Sequence, residues 1–354
     1  MKENTYVSVT ILLACLILAL GGKEVKCIRG DKNTSGVPLN QKVNTSIVLR
    51  RYDNRFKGDV YACIDVNLQP AFSHPLLKHH KMQSIPTKSP SIHDRPPAQL
   101  SLIECPTGTI PILRNNRRVH KLVQAIDKVI SKNEQQEIAG FEYLDVLYGM
   151  RAKITIYEPK VKNDSKDLSA SWIQINGRQR VDGLKNTICP DHDCGAFVQV
   201  SSSVGLGGRL KPVSIYRGPQ YIIDVSIFKD PVSKNWWVSY GERNIHIGYW
   251  PKEIFHFMKD QCNSALWGGY VQGPTASSDS PRMGSGHFAS EERGKAAVVR
   301  NILIVDNKNK YANPDARKAR LVVTSSSKYT AKAYGYGYND YGVHTYYGGP
   351  GAFV

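Results

Sequence analysis

Residues 221–240 read Tyr221-Ile-Ile-Asp-Val-Ser-Ile-Phe228-Lys-Asp230-Pro231-Val-Ser-Lys234-Asn235-Trp236-Trp-Val-Ser-Tyr240. Two runs of β-branched and aromatic residues flank a short stretch holding Asp-Pro and Lys-Asn. That pattern predicts a β-hairpin over Tyr221–Phe228 and Trp236–Tyr240. Working outward, the same signature recurs at Ala152–Tyr157, Ser171–Ile175, Ala196–Val200, Ile245–Tyr249, Leu266–Val271, Ala297–Val305, Leu321–Thr324 and Val343–Tyr347. Turn signals such as Gly268-Gly269 and Gly348-Gly349-Pro350 punctuate the series. Many short strands at this spacing predict an all-β domain, an antiparallel sandwich or barrel. One helix is expected at Pro251–Met258, with Pro251 in the first turn where it is tolerated.

The chain has 354 residues, 41% of them hydrophobic and 22% charged, which excludes wholesale disorder. Lys and Arg number 47 against 30 Asp and Glu, a formal net charge of +17. The charge is uneven: residues 23–134 carry a net +10 and residues 135–354 a net +7. All five tryptophans fall in the second part, which places the main core there. The first part reads as an accessory segment. Within it, residues 82–98 hold four prolines and read as extended surface chain. Residues 119–130 carry apolar side chains at helical spacing and read as a short amphipathic helix or linker.

Val7–Leu20 is a run of fourteen residues without a charge. That is short for a bilayer span, which needs about 20, and suits a secretory leader cleaved near Gly22. Loss of the leader removes Cys15 and leaves Cys27, Cys63, Cys105, Cys189, Cys194 and Cys262. An even cysteine count in a secreted chain argues for disulfides. Acceptor sequons at Asn33, Asn44 and Asn163 fit the same compartment, extracellular, cell-wall or vacuolar. No stable membrane span is expected once the leader is gone.

Generic catalytic signatures are absent: there is no Gly-x-Ser-x-Gly, no His-Glu-x-x-His and no phosphate loop. Cys189-Pro-Asp-His-Asp-Cys194 reads as a metal site or a small disulfide-closed loop. With no second ligand pair at suitable spacing, the loop is favoured and no metal is expected. His287, between glycine-rich neighbours, reads as catalytic or as a packed structural residue, the latter being commoner. The basic balance suggests attraction to acidic polysaccharide rather than nucleic acid, since no basic-aromatic nucleic-acid motif is present. The tyrosine-rich tail from Tyr334 to Tyr347 reads as a sugar-stacking platform or an edge strand with a glycine turn; the strand is favoured.

Several ordered strings carry a family resemblance. Cys63-Ile-Asp-Val-Asn-Leu-Gln-Pro-Ala-Phe-Ser-His-Pro-Leu-Leu-Lys-His-His-Lys81 and Cys105-Pro-Thr-Gly-Thr-Ile-Pro-Ile112 resemble the activation peptide of plant neprosin-family proteins. Asn235-Trp-Trp237, Gly248-Tyr-Trp-Pro251, Trp267-Gly-Gly269, Met283-Gly-Ser-Gly-His-Phe288 and Tyr346-Tyr-Gly-Gly-Pro-Gly351 follow in the family's order. The resemblance implies a leader over 1–22, an activation segment over 23–118, a linker or helix over 119–139 and a β-sandwich peptidase-like domain over 140–354. It also implies an acid-active glutamic endopeptidase that prefers proline and needs no cofactor. One of two opposed glutamates activates water and its partner donates a proton. Cys63 and Cys105 become candidates to pair within the activation segment.

Carried over residue by residue, both glutamates are missing. The first belongs to a motif like Asn-Thr-Ile-Glu-Ala-Gly-Trp. Here Asn186-Thr-Ile188 runs directly into Cys189, and the strands expected after the Trp172 strand are absent. The second aligns with Tyr270. A phenol with an ordinary pKa of about 10 is a poor base in acid. Deleting strands also exposes backbone edges, so flanking segments must re-pair or the domain loses stability. Fallback carboxylates are Glu242, Glu291 and Glu292, the last two reading more easily as structural. The leading expectation is a catalytically impaired protein that binds a peptide or protein in the old cleft. The alternatives are an active endopeptidase with a substitute carboxylate and a cationic binder of acidic cell-wall polysaccharide.

Overall fold

The computed structural model describes residues 6–13, 48–51, 60–90, 103–113, 135–162, 167–178, 196–207, 210–255, 258, 260–335, 337 and 339–352. Three antiparallel sheets are formed. The five-stranded sheet has the order β1 (Tyr6–Leu13), β7 (Leu168–Arg178), β12 (Ser264–Gln272), β5 (Gln136–Tyr143), β15 (Ala319–Val323). The nine-stranded sheet runs β16 (Thr330–Tyr334), β17 (His344–Gly348), β13 (Ala297–Val305), β6 (Gly149–Thr155), β9 (Ile222–Lys229), β10 (Trp236–Tyr240), β11 (Ile245–Trp250), β8 (Val198–Gln199), with β14 (Tyr311–Ala312) beside β13. A small sheet of β2 (Val48–Arg51), β3 (Val60–Asp65) and β4 (Thr109–Leu113) belongs to the N-terminal segment.

The hairpin forms as its sequence predicts. Trp236 pairs with Lys229 and Trp237 with Phe228. Asp230 organises the turn: its carboxylate accepts from the Val232 backbone N–H and the Ser233 hydroxyl, and its backbone bonds Asn235 and Lys234. Phe141, Ile173, Ile175 and Trp267 from the smaller sheet meet Ile154, Val225, Ile227, Trp237 and Val299 from the larger one in a single core. The architecture is therefore an all-β sandwich.

Three expectations change. Pro251–Met258 is not a helix; only Lys252–Ile254 makes a 3₁₀ turn, and Phe255 returns to extended backbone. No side chain caps the turn, while Phe255 and Met258 are drawn into the core, so tertiary packing overrides the weak helical signal. The strand β5 begins at Gln136, inside the expected linker, because pairing with β12 on one side and β15 on the other fixes it. Residues 119–130, with the predicted helix, lie outside the described residues. Finally, Tyr6–Leu13 pairs along β7 from Tyr6↔Arg178 to Leu13↔Ser171. A β-branched run thus lies along the edge of β7.

The N-terminal segment docks on the β8–β11 end of the larger sheet. Gln69 and Gln199, both buried, exchange bonds: the Gln199 N–H donates to Gln69 Oε1 at 2.7 Å, and Gln69 Nε2 donates to the Gln199 carbonyl at 3.2 Å. The Tyr249 hydroxyl accepts from the Gln83 N–H at 2.8 Å and lies 2.9 Å from His80 Nε2. Asp230 also accepts from the Thr87 N–H at 2.6 Å. Gly205 leaves room for Tyr61, whose ring carbon would stand 2.3 Å from an added Cβ. The Cys63–Cys105 disulfide closes the segment across 42 residues.

Candidate functional site

Alternation along the strands places one set of side chains on the outer face of the five-stranded sheet. Tyr270 on β12 lies opposite Ala170 on β7 and Ile138 on β5. On the same face β7 offers Trp172, Gln174 and Asn176, and β5 offers Gln136 and Glu142. Trp172 and Tyr270 form a tilted aromatic pair with centroids 4.2 Å apart, and both are buried. With Leu168, Ala170 and Leu266 they form a small hydrophobic cluster separate from the main core.

Tyr270 is hydrogen-bonded to amide side chains. Its hydroxyl donates to Gln272 Oε1 at 2.9 Å, with Gln136 Oε1 at 3.4 Å. Trp172 Nε1 donates to Gln174 Oε1 at 3.0 Å, and Asn176 Nδ2 to Ser264 Oγ at 3.2 Å. The five strands carry two carboxylates, Glu137 and Glu142. Glu137 alternates to the opposite face, where the Thr324 hydroxyl donates to it. Glu142 shares the face of Tyr270 but pairs with Leu266, about 13 Å along the sheet, and is bonded by Arg320 at 2.7 Å.

The three fallback carboxylates stand elsewhere. Glu242, on the turn between β10 and β11, is bonded to Lys153. Glu291 accepts from the Tyr216 hydroxyl at 2.7 Å and sits 2.8 Å from His287 Nδ1. Those bonds, Tyr216 first, hold its carboxyl below the ordinary range. Glu292 is bonded by Lys332 at 2.6 Å and by the Tyr334 hydroxyl, which likewise lower it. None of the three lies on the five-stranded sheet. His287 stacks on Tyr216 at 3.7 Å and 10°, the arrangement of a packed residue.

A family model described as Neprosin matches residues 151–350, and one described as Neprosin activation peptide matches residues 55–140. The chain belongs to the neprosin family. The relationship is therefore to a peptidase-like protein with an activation segment and a sandwich domain. The expected Cys63–Cys105 pairing is present, and Cys262 is buried and unpaired. Cys27, Ile188, Cys189, Cys194, Asn33, Asn44 and Asn163 lie outside the described residues. Among the described residues no cluster of His, Cys, Asp or Glu could hold a metal ion, and no helix is long and apolar enough to cross a membrane. A concavity of about 330 Å³ opens at the hairpin end of the larger sheet, lined by Lys234, Lys252, Glu253 and Asp260, and none of these residues is on the sheet of Tyr270. Sequence reading found Tyr270 but missed its amide frame. Gln272, two residues along, was visible as a same-face neighbour; Gln136 needed the register of β5.

Proposed function

We propose that this neprosin-family protein is secreted after loss of residues 1–22, glycosylated, and binds extended peptide or protein segments without cleaving them. The observation that carries the reading is the neutral frame around Tyr270. General acid-base hydrolysis needs one group that takes a proton from water and another that gives one up. Gln136 and Gln272 can do neither, and the Tyr270 phenol, already donating to them, is no base in acid. The margin of the buried Trp172–Tyr270 pair suits peptide recognition, because the exposed Gln136 and half-buried Gln174 and Asn176 carry amides that can bond backbone groups.

Purified protein, incubated in acid with proline-containing peptides, is expected to leave them intact by mass spectrometry. Cleavage would overturn the reading, and its loss in Glu142→Gln would name the substitute carboxylate. Binding of the same peptides, with protection of the β7–β12 amides in hydrogen exchange, is the positive counterpart.

A further inference from the structure

The β13–β16–β17 end of the larger sheet carries a second constellation, which the peptide-binding reading does not use. Four cations lie over tyrosine rings there. The Arg293 and Arg300 guanidinium carbons stand 4.9 and 4.5 Å from the Tyr341 centroid. Lys332 Nζ is 5.1 Å from the Tyr334 ring, and the Arg217 guanidinium carbon 5.3 Å from the Tyr216 ring. One network joins them: Tyr216 bonds Glu291, the adjacent Glu292 bonds Lys332 and Tyr334, and the Arg217 N–H donates to the Gly294 carbonyl at 2.8 Å.

Two of the six described non-glycine residues with positive φ lie at the same place. Arg217 and Glu292 are non-glycine residues with φ of 56° and 57°, each costing on the order of 1–3 kcal/mol. Glu292, with ψ of −138°, is held by a bond from the Ala296 N–H to its carbonyl at 2.8 Å. Strain of this kind persists only where surrounding contacts enforce it, and it gathers at functional sites. The charged heads remain accessible: the side chains of Arg293 and Lys332 are 65% and 47% exposed, and Arg217 is exposed. Among the described residues neither Arg217 nor Arg300 has a carboxylate partner.

We infer that this face is a binding site for a carboxylated polysaccharide. A guanidinium held over a tyrosine ring has already lost much of its rotamer freedom, so it meets a carboxylate fork at reduced entropic cost. Cations alternate with the carboxylate side chains of Glu291, Glu292 and Asp340. That mixture suits a chain bearing both carboxylates and hydroxyls, because hydroxyls need acceptors. A continuous phosphate backbone would meet repulsion from the same acids. The inference does not depend on whether the Tyr270 face cuts or binds peptides.

The test is equilibrium binding of the whole protein to polygalacturonate and to its fully methyl-esterified form. Arg217→Gln/Arg293→Gln/Lys332→Gln is compared with Lys78→Gln/Lys88→Gln/Arg317→Gln, an equal charge loss at exposed positions on other elements. The first triple is expected to weaken binding about tenfold and the second less than about twofold. The esterified polymer should not bind, and affinity should fall as salt shortens the screening length below about 10 Å. Unchanged thermal unfolding confirms that the triples fold. The single Arg293→Gln, altering a largely exposed side chain, should still show a loss if either triple does not. Equal losses in the two triples, undiminished binding in the first, tighter binding to a DNA oligomer or retention of the esterified polymer would each overturn the site.

Discussion

The outer face around Tyr270 and the β13–β17 face are both built on aromatic rings, yet they treat charge in opposite ways. At Tyr270 the rings are framed by Gln136, Gln174 and Gln272, and the nearest same-face carboxylate is tied to Arg320. At the other face, Glu291 and Glu292 are ionised and held so by Tyr216, His287, Lys332 and Tyr334. Paired-acid catalysis needs a proton shared between two carboxyls whose pKa values separate. On one face the same-face acid, Glu142, is tied to Arg320, and on the other the hydrogen bonds to Glu291 and Glu292 lower their carboxyls.

The largest way to break the contrast is Tyr270→Glu. Tyr270 is 1% exposed, so the new carboxyl would be desolvated among amides, and burial raises such a pKa by up to about 3–5 units. At about 1.4 kcal/mol per unit, and with only about 2.7 units between the ordinary value and pH 7, the loss of stability at pH 7 is about 3.5 kcal/mol. Because the folded-state pKa is raised, the penalty vanishes below the ordinary glutamate value of about 4.3 and grows as pH climbs toward the folded value. Urea denaturation at pH 4 and pH 7 should show the difference, and restored peptidase activity is not expected.

Within the larger sheet, the buried Arg151–Asp224 pair is bidentate, at 3.0 and 2.8 Å. Asp224→Ala would strand the guanidinium and should cost about 3–5 kcal/mol. On the neutral face Tyr270→Phe leaves Gln272 Oε1 short of one donor and should cost about 1–3 kcal/mol. Equal losses for these two substitutions would mean that the two sheets do not differ in how they hold polar groups. Measured denaturation midpoints decide it.

How far the sequence foretold this contrast depends on which forces act locally. The Asp230-Pro231 hairpin was legible because its turn chemistry and flanking β-branched runs agree. Tyr270 was legible through the fixed Trp267-Gly-Gly269 landmark. Gln136 was not, since only the register Gln272↔Gln136 brings it to the site, and register comes from long-range pairing. The Pro251–Met258 helix failed because Phe255 and Met258 gain more from the core than from helical backbone. Tyr6–Leu13 reads as a leader, and in the chain that retains it the run pairs with the edge of β7. Glu291 and Glu292 read more easily as structural; Glu291 is bonded by Tyr216 and faces His287, and Glu292 is bonded by Lys332 and Tyr334 of β16.

The smallest expected effect probes a third region, where the N-terminal segment meets the larger sheet. The His80 side chain is 8% exposed and its pKa is lowered by burial. Glu253, 3.5 Å from Nδ1, opposes that shift, and Lys252 reinforces it. A histidine held neutral in the folded state favours folding fully above its ordinary value of about 6.5. Its contribution is lost as pH falls from there through the lowered folded value, since the unfolded chain takes up the proton first. Asp230, lowered by the hydrogen bonds it accepts from Val232, Thr87, Ser233 and Gln83, acts in a more acidic window. Its contribution is present above about 3.8 and fades only below that. His246 and His344 are also lowered by burial, so the whole protein softens over the window of His80. The comparison with His80→Gln, which keeps a donor toward Tyr249, isolates one group. Wild type should lose more thermal stability than the variant between about pH 7 and pH 5. Parallel curves would place the acid sensitivity in the sandwich itself and leave the segment's clamp indifferent to pH.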